Sequence, residues 1–139
     1  MTNIAMVLDR LGKTLVAEVV PKLKGDYSAG HVTMAGLMNV MAGEAWDGAA
    51  DRLFTEIGEM RVLLAEGGVV LEVADAPSLK VSDLTTERDG LARKLIELQA
   101  GLEVHEDQAA QDLNTRIWLL LMQTAVARMP SPPAIPEAQ

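Results

Sequence analysis

The chain has 139 residues, the size of one ordinary domain, and we predict a single helical domain over residues 1–129 followed by a proline-rich tail over residues 130–139. Its formal net charge of −8, with 12 scattered Lys and Arg residues, excludes nucleic acid as an expected partner, and the lack of cysteine excludes disulfides and thiolate chemistry. Hydrophobic residues make up 49% of the chain but aromatic residues only 3%, which favours packed helices over a sheet and predicts an all-α fold.

The first predicted helix spans residues 3–20, with Asn3 as its N-cap. Its apolar residues recur at the spacing of one helical stripe: Ile4, Leu8, Leu11, Leu15 and Val19. Pro21 lacks a backbone N–H and clashes with the preceding turn, so we expect the helix to kink or end there. Gly25 then closes its last turn.

The second predicted helix, within residues 26–46, is expected to be the buried centre of a bundle of about five helices. Between Asp26 and Glu44 no residue carries a full charge unless His31 is protonated. The apolar positions follow helical spacing: His31, Met34, Ala35, Met38, Met41, Ala42 and Ala45. A helix without a charged face is typical of one that other helices surround.

Three further helices are predicted in the rest of the domain. The third begins at a cap on Asp47 and ends near Glu66, with a charged face that we interpret as solvated: Asp51, Arg52, Glu56, Glu59 and Arg61. Residues 69–81 are predicted to form an irregular but ordered crossover, because Pro77 prevents a continuous helix. The fourth helix begins near residue 82 and ends near Gly101, and the fifth ends near Met129.

The tail over residues 130–139 has polyproline II character. We expect it to dock, with Ile135 as an apolar anchor, into an apolar groove that belongs either to the same molecule or, as we favour, to a neighbouring subunit. Residues 117–127 are the most apolar run near this end, and they are about half as long as the ~20 residues needed to cross a bilayer. We therefore expect no membrane association and a cytoplasmic location.

The second helix also carries the residues that invite a functional interpretation. His31 is either a base or ligand or, as we favour, a neutral imidazole with a structural hydrogen bond. Asn39 either fixes the helix register, which we favour, or contacts a ligand, because a buried amide needs partners. Met34, Met38 and Met41 are core packing first and an adaptable binding surface second. Together these five residues form a speculative ligand-binding site.

No catalytic residue, metal site or cofactor is predicted. Neither His31 nor His105 has a carboxylate three positions before it, as the Glu-x-x-His pairs of metal-binding bundles do. The glycine-rich loops that bind phosphate and the strand-to-helix turn that presents a nucleophilic serine are also missing from the sequence. The protein is therefore more readily interpreted as non-catalytic than as an enzyme.

Residues 18–44, EVVPKLKGDYSAGHVTMAGLMNVMAGE, resemble the opening of an uncharacterised family of small bacterial helical proteins. Genes of that family often neighbour genes for acyl-CoA dehydrogenases and for aminoglycoside-phosphotransferase-like proteins. The final helix running into Pro130 is similar to the family's second half. The resemblance implies an accessory role near acyl-CoA or phosphotransferase chemistry and assigns no catalytic residue.

These observations lead to two functional hypotheses of different classes. The first is a non-catalytic accessory or protein-interaction module that binds itself or a partner enzyme. The alternative is a bundle that holds a small apolar, acyl-type ligand beside His31, Asn39 and the three methionines.

Overall fold

The computed structural model describes residues 3–72 and 78–133, and these residues form an all-helical protein without a strand. Five α-helices follow one another: α1 (Ile4–Thr14), α2 (Ser28–Asp47), α3 (Ala49–Glu66), α4 (Val81–Leu102) and α5 (Gln108–Ala127). The predicted all-α fold of about five helices is confirmed. Residues 69–72 and 78–80 of the predicted crossover are in neither helix nor strand.

Backbone contacts divide the chain into two compact units. Unit 1 contains α1, α2 and the described part of the tail, and unit 2 contains α3, α4 and α5. The division falls after Gly48, which separates α2 from α3. Asp47 is the last residue of α2 and not the predicted cap of α3, because the chain turns one residue later. The single domain predicted over residues 1–129 stays a prediction.

The first helical segment begins as its sequence predicts, but its regular α-helix ends at Thr14 and not near Val20. The side chain of Asn3 accepts a hydrogen bond of 3.1 Å from the backbone N–H of Met6, which caps the helix. After Thr14 the chain continues as a π-helical turn over Leu15–Val19 and a 3-10 turn over Val20–Leu23. Wider and tighter turns of this kind accommodate Pro21, whose ring would clash with a carbonyl in a regular helix.

Helices α1 and α2 meet through glycines. Gly12, Gly36 and Gly43 are the buried residues of these two helices. A Cβ atom on Gly36 would lie 2.6 Å from Cγ2 of Val16 and 2.9 Å from the carbonyl oxygen of Gly12. A Cβ atom on Gly43 would lie 2.8 Å from the carbonyl oxygen of Ala5. The two backbones are therefore in direct contact, and a larger residue at these positions does not fit.

The prediction that α2 is the buried centre of the bundle is wrong for the single chain. Met34 and Met38 are 59% and 62% exposed, and the buried residues of α2 are both glycines. Positions 34 and 38 lie two residues to either side of Gly36, which places them about 200° around the helix from the contact with α1. The lack of charge on α2 therefore marks a helix that packs closely on one side and leaves an apolar stripe on the other.

Unit 2 holds the core of large side chains. The side chains that are most fully buried come from all three of its helices: Met60, Leu64, Leu84, Leu95 and Ile117. Polar pairs join the same helices at their edges, with Arg61 of α3 donating to Glu87 of α4 at 2.7 Å and Gln99 of α4 donating to Asn114 of α5 at 3.1 Å.

The charged face of α3 is only partly the solvated face that we predicted, because Glu56 is 4% exposed. Arg88 of α4 donates to its carboxylate at 2.9 Å, and Arg128, next to the end of α5, donates to its other oxygen. Two guanidinium partners compensate the loss of water around this carboxylate. Glu56 is therefore a structural group that joins the three helices of unit 2.

The described part of the tail, residues 130–133, belongs to unit 1 of its own chain, and docking of the tail into a neighbouring subunit stays a prediction. The hydroxyl of Ser131 donates to Glu44 of α2 at 2.6 Å. Pro132 and Pro133 help to line a cleft of about 480 Å³ whose other walls include Asp9 and Lys13. The cleft is thus partly charged, and the predicted anchor Ile135 lies outside the described residues.

Candidate interaction surface

Four of the five predicted ligand-binding residues share one face of α2. His31, Met34, Met38 and Met41 follow one another at intervals of three and four residues, which places them on one side of a helix. His31, Met34 and Met38 are exposed and Met41 is half-buried. The ring of His31 makes an edge contact with Tyr27, with 5.0 Å between the ring centroids. The structure therefore presents these side chains on a surface and does not enclose them around a ligand.

Asn39 does not share that face, since it follows Met38 by about 100° around the helix. Its side-chain amide donates to the carbonyl oxygen of Ala35, one turn earlier, at 2.8 Å. This hydrogen bond is local to α2. Both interpretations of Asn39, as a register residue and as a ligand contact, stay predictions.

Helix α1 adds a second exposed apolar stripe to unit 1. Ile4, Val7 and Leu11 lie on one face by their spacing, and about half of each side chain is exposed. Trp46, near the end of α2, is also about half exposed. A surface with this many large exposed hydrophobic side chains is typical of an interaction site.

The apolar stripe of α2 is free of charge along most of the helix. The helix carries no charged residue from Ser28 to Gly43, and its only carboxylates, Glu44 and Asp47, lie in its last turn. Before the helix, the backbone N–H and the hydroxyl of Ser28 donate to Asp26 and lower the pKa of its carboxyl group. Charge therefore flanks the apolar stripe at both ends and does not enter it.

Two clefts of unit 2 are lined by residues of α3 and α5. One cleft of about 230 Å³ is lined by Glu56, Arg128 and neighbouring polar side chains of α3 and α5. Two arginines already donate hydrogen bonds to the carboxylate of Glu56. We therefore assign this group a structural role and not a role in proton transfer. Sequence reasoning missed this group because Arg88 and Arg128 are distant in the sequence.

Among residues 3–72 and 78–133, no group of three histidine or acidic side chains is placed to hold a metal ion. Within the same ranges, every helix is too short or too polar to span a bilayer.

Comparison with protein-family models, with curated proteins and with solved structures finds no match for this chain. The family resemblance of residues 18–44 therefore stays a prediction. The described residues form an all-helical protein with an exposed, uncharged apolar stripe on α2 of unit 1.

Proposed function

We propose that the protein is a non-catalytic accessory protein that acts by binding another protein chain through the apolar stripe of α2. The observation that carries this proposal is the exposure of Met34 and Met38 on a helix face without charge. Exposed apolar side chains cost free energy in water, about 25 cal/mol for each Å² left uncovered, so a partner that covers them gains stability.

The same observation supports a protein partner over the alternative, an acyl-type ligand. A small apolar ligand binds in a cavity that buries most of its surface. The stripe of α2 presents its methionines outward, whereas a second helix laid along such a stripe makes contacts at intervals of three and four residues. Methionine is suited to this because its flexible side chain adapts to the partner's shape.

The proposal includes a cytoplasmic location. The chain has no cysteine, so its fold does not depend on disulfides, which the reducing cytoplasm would not maintain. The proposal also includes the accessory role that the family resemblance of residues 18–44 implies. In that role the protein would act beside an enzyme of acyl-CoA or phosphotransferase chemistry.

A photo-crosslinking amino acid at position 38, used in cells that naturally contain the protein, tests the proposal. We expect a defined protein adduct from this position. The control carries the same group at Ile96 of α4, which is 65% exposed and thus matches the 62% of Met38. A defined adduct at position 38 that is missing at position 96 supports the proposal. Adducts that are alike at both positions, or none at position 38, overturn it.

A further inference from the structure

We infer that Met34 and Met38 are an oxidation site that regulates the α2 stripe, the exposed face that carries His31 and these two methionines. Peroxide converts both side chains to methionine sulfoxide, and the stripe then releases its partner. This inference rests on the proposed function and adds its regulation. Both side chains are more than half exposed, so a small oxidant in water reaches their sulfur atoms. They lie one helical turn apart on the same face, so both oxidised groups fall within one patch.

The reaction is the transfer of one oxygen atom to a thioether. The sulfur attacks one oxygen of hydrogen peroxide, a sulfur–oxygen bond forms, the oxygen–oxygen bond breaks, and water leaves. The sulfur is oxidised by two electrons and the peroxide is reduced by two. The chain contains no cysteine, so no thiol of its own competes for the oxidant. Methionine sulfoxide reductases return the sulfoxide to the thioether, so the change is reversible.

Oxidation changes the character of the stripe because its apolar area comes mainly from two side chains. Within residues 28–43, all of which the structure describes, Met34 and Met38 are the only large hydrophobic side chains that are exposed. Their exposed neighbours on this side of the helix are small or polar, as Ala35 and His31 are. A sulfoxide is polar, and methionine oxidation disrupts methionine-rich interfaces. Two sulfur atoms therefore decide whether the stripe is apolar or polar.

The contact between α1 and α2 lies on the other side of α2 from the two exposed methionines. It involves Gly36 and the side chains of Val16 and Val40. A polar oxygen on either exposed methionine therefore does not enter this contact. Met60, which is 1% exposed in the core of unit 2, is out of reach of peroxide while the protein stays folded. Oxidation of the stripe and unfolding of the chain are thus separate events.

Methionines outside α2 supply the matched control. Among the described residues, three of them are exposed and open to peroxide: Met6, Met122 and Met129. Met122 of α5 shares its face with the exposed Leu119 and Val126, so one sulfoxide leaves that surface largely apolar. Its exposure of 59% equals that of Met34. Met122 is therefore oxidised as readily as the α2 pair but should not change what the stripe binds.

Hydrogen peroxide added to the purified full chain provides the first test. Peptide mass spectrometry is expected to find sulfoxide at Met34 and Met38 before Met60, with an unchanged circular dichroism spectrum. Native retention on a hydrophobic column is expected to fall. A variant with both Met34→Leu and Met38→Leu, which keeps volume and apolar character, should lose most of that fall, whereas Met122→Leu should keep it. Oxidation of the pair that unfolds the chain, or a fall in retention that the two leucines do not prevent, overturns the inference.

The second test measures release of the partner. The photo-crosslinking group is placed at Ala42, which is exposed and one turn after Met38, and peroxide is added to the cells before illumination. The protein adduct is expected to disappear from the otherwise wild-type chain and to persist when Met34→Leu and Met38→Leu are present. Met38→Gln, with a polar side chain of similar length, is expected to lose the adduct without peroxide.

The outcomes of the second test separate the regulation from the proposed function. An adduct that peroxide does not change overturns the regulation and keeps the proposed function. An adduct that peroxide removes equally when both leucines are present also overturns the regulation, because the oxidant then acts elsewhere. If no adduct forms with or without peroxide, both are removed, since no partner is bound for oxidation to release.

Discussion

The two units of this protein use opposite ways of packing helices. In unit 2, side chains such as Met60, Leu64 and Ile117 fill the space between three helices. In unit 1, Gly12 and Gly36 bring two backbones into contact, and large apolar side chains such as Met34 and Met38 remain exposed. Burial of large side chains is the main source of folding free energy. Unit 2 therefore has its own core, whereas unit 1 has a close contact and an exposed surface that another chain can cover.

The largest effect on stability is expected from truncating a large side chain in the core of unit 2. Leu64→Ala removes a fully buried side chain from the core of unit 2 and is expected to lower the free energy of unfolding by about 2–5 kcal/mol. Val62→Ala, two residues away and 55% exposed, is the control, with an expected loss below about 0.5 kcal/mol. Urea denaturation followed by circular dichroism measures both. Equal losses would show that α3 does not pack as described.

The buried carboxylate of unit 2 has no counterpart in unit 1. Glu56→Ala leaves Arg88, whose side chain is 23% exposed, without one of its partners. Removal of one member of a buried ion pair costs about 3–5 kcal/mol, and the partial exposure of Arg88 reduces our expectation to about 2 kcal/mol. Glu59→Ala, on the exposed part of the same helix, is the control and should change the stability little. If the two variants melt at the same temperature, Glu56 does not join the helices of unit 2.

The glycine contact of unit 1 can be tested within α2 itself. Gly36→Ala places a methyl group 2.6 Å from Val16 and is expected to lower stability by about 1–3 kcal/mol. Gly30→Ala, in the same helix but facing open space, is expected to raise it by about 0.5–1 kcal/mol. Hydrogen exchange of the α1 and α2 amides separates these effects from the stability of unit 2. A gain for both variants would mean that the helices are further apart than described.

The sequence predicted the ends of the helices better than their faces. Asn3 caps α1, and Gly68, with φ of 77°, follows the end of α3, because caps and glycine turns depend on a few adjacent residues. The buried face of α2 was predicted from Met34 and Met38, whereas the contact uses Gly36 and Gly43. Hydrophobic periodicity gives glycine little weight, so it favoured the methionine stripe.

Glu56 shows a second limit of predicting buried faces from the sequence. Its spacing along α3 places it among Arg52, Glu59 and other charged residues, which is the pattern of a solvated face. Its partners Arg88 and Arg128 lie 32 and 72 positions further along the chain. Such pairs form only after three helices have packed, so the residue pattern of a single helix does not predict them. Four of the five residues of the speculative site on α2 lie on one face, without Asn39, and their role in ligand binding stays a prediction.

The smallest expected effect concerns an exposed ion pair of unit 2. Arg116 of α5 donates to Glu66 of α3, with one of its two hydrogen bonds at 3.0 Å. This hydrogen bonding, with the charge of Arg116, lowers the pKa of the Glu66 carboxyl and raises the pKa of the Arg116 guanidinium. A carboxyl group whose pKa is lower in the folded state stabilises the fold above its unfolded pKa of about 4.3, and the contribution disappears as the pH falls through the folded value.

A double-mutant cycle of Glu66→Gln and Arg116→Gln measures this pair. The coupling free energy is expected to be small at neutral pH, because exposed ion pairs are weak in water, and to vanish at strongly acidic pH, where the carboxyl is protonated. NMR titration of Glu66 gives the second readout, since its pKa should rise toward the ordinary value in the Arg116→Gln variant. A coupling that is the same at both pH values would assign the effect to packing of the long side chains and not to charge.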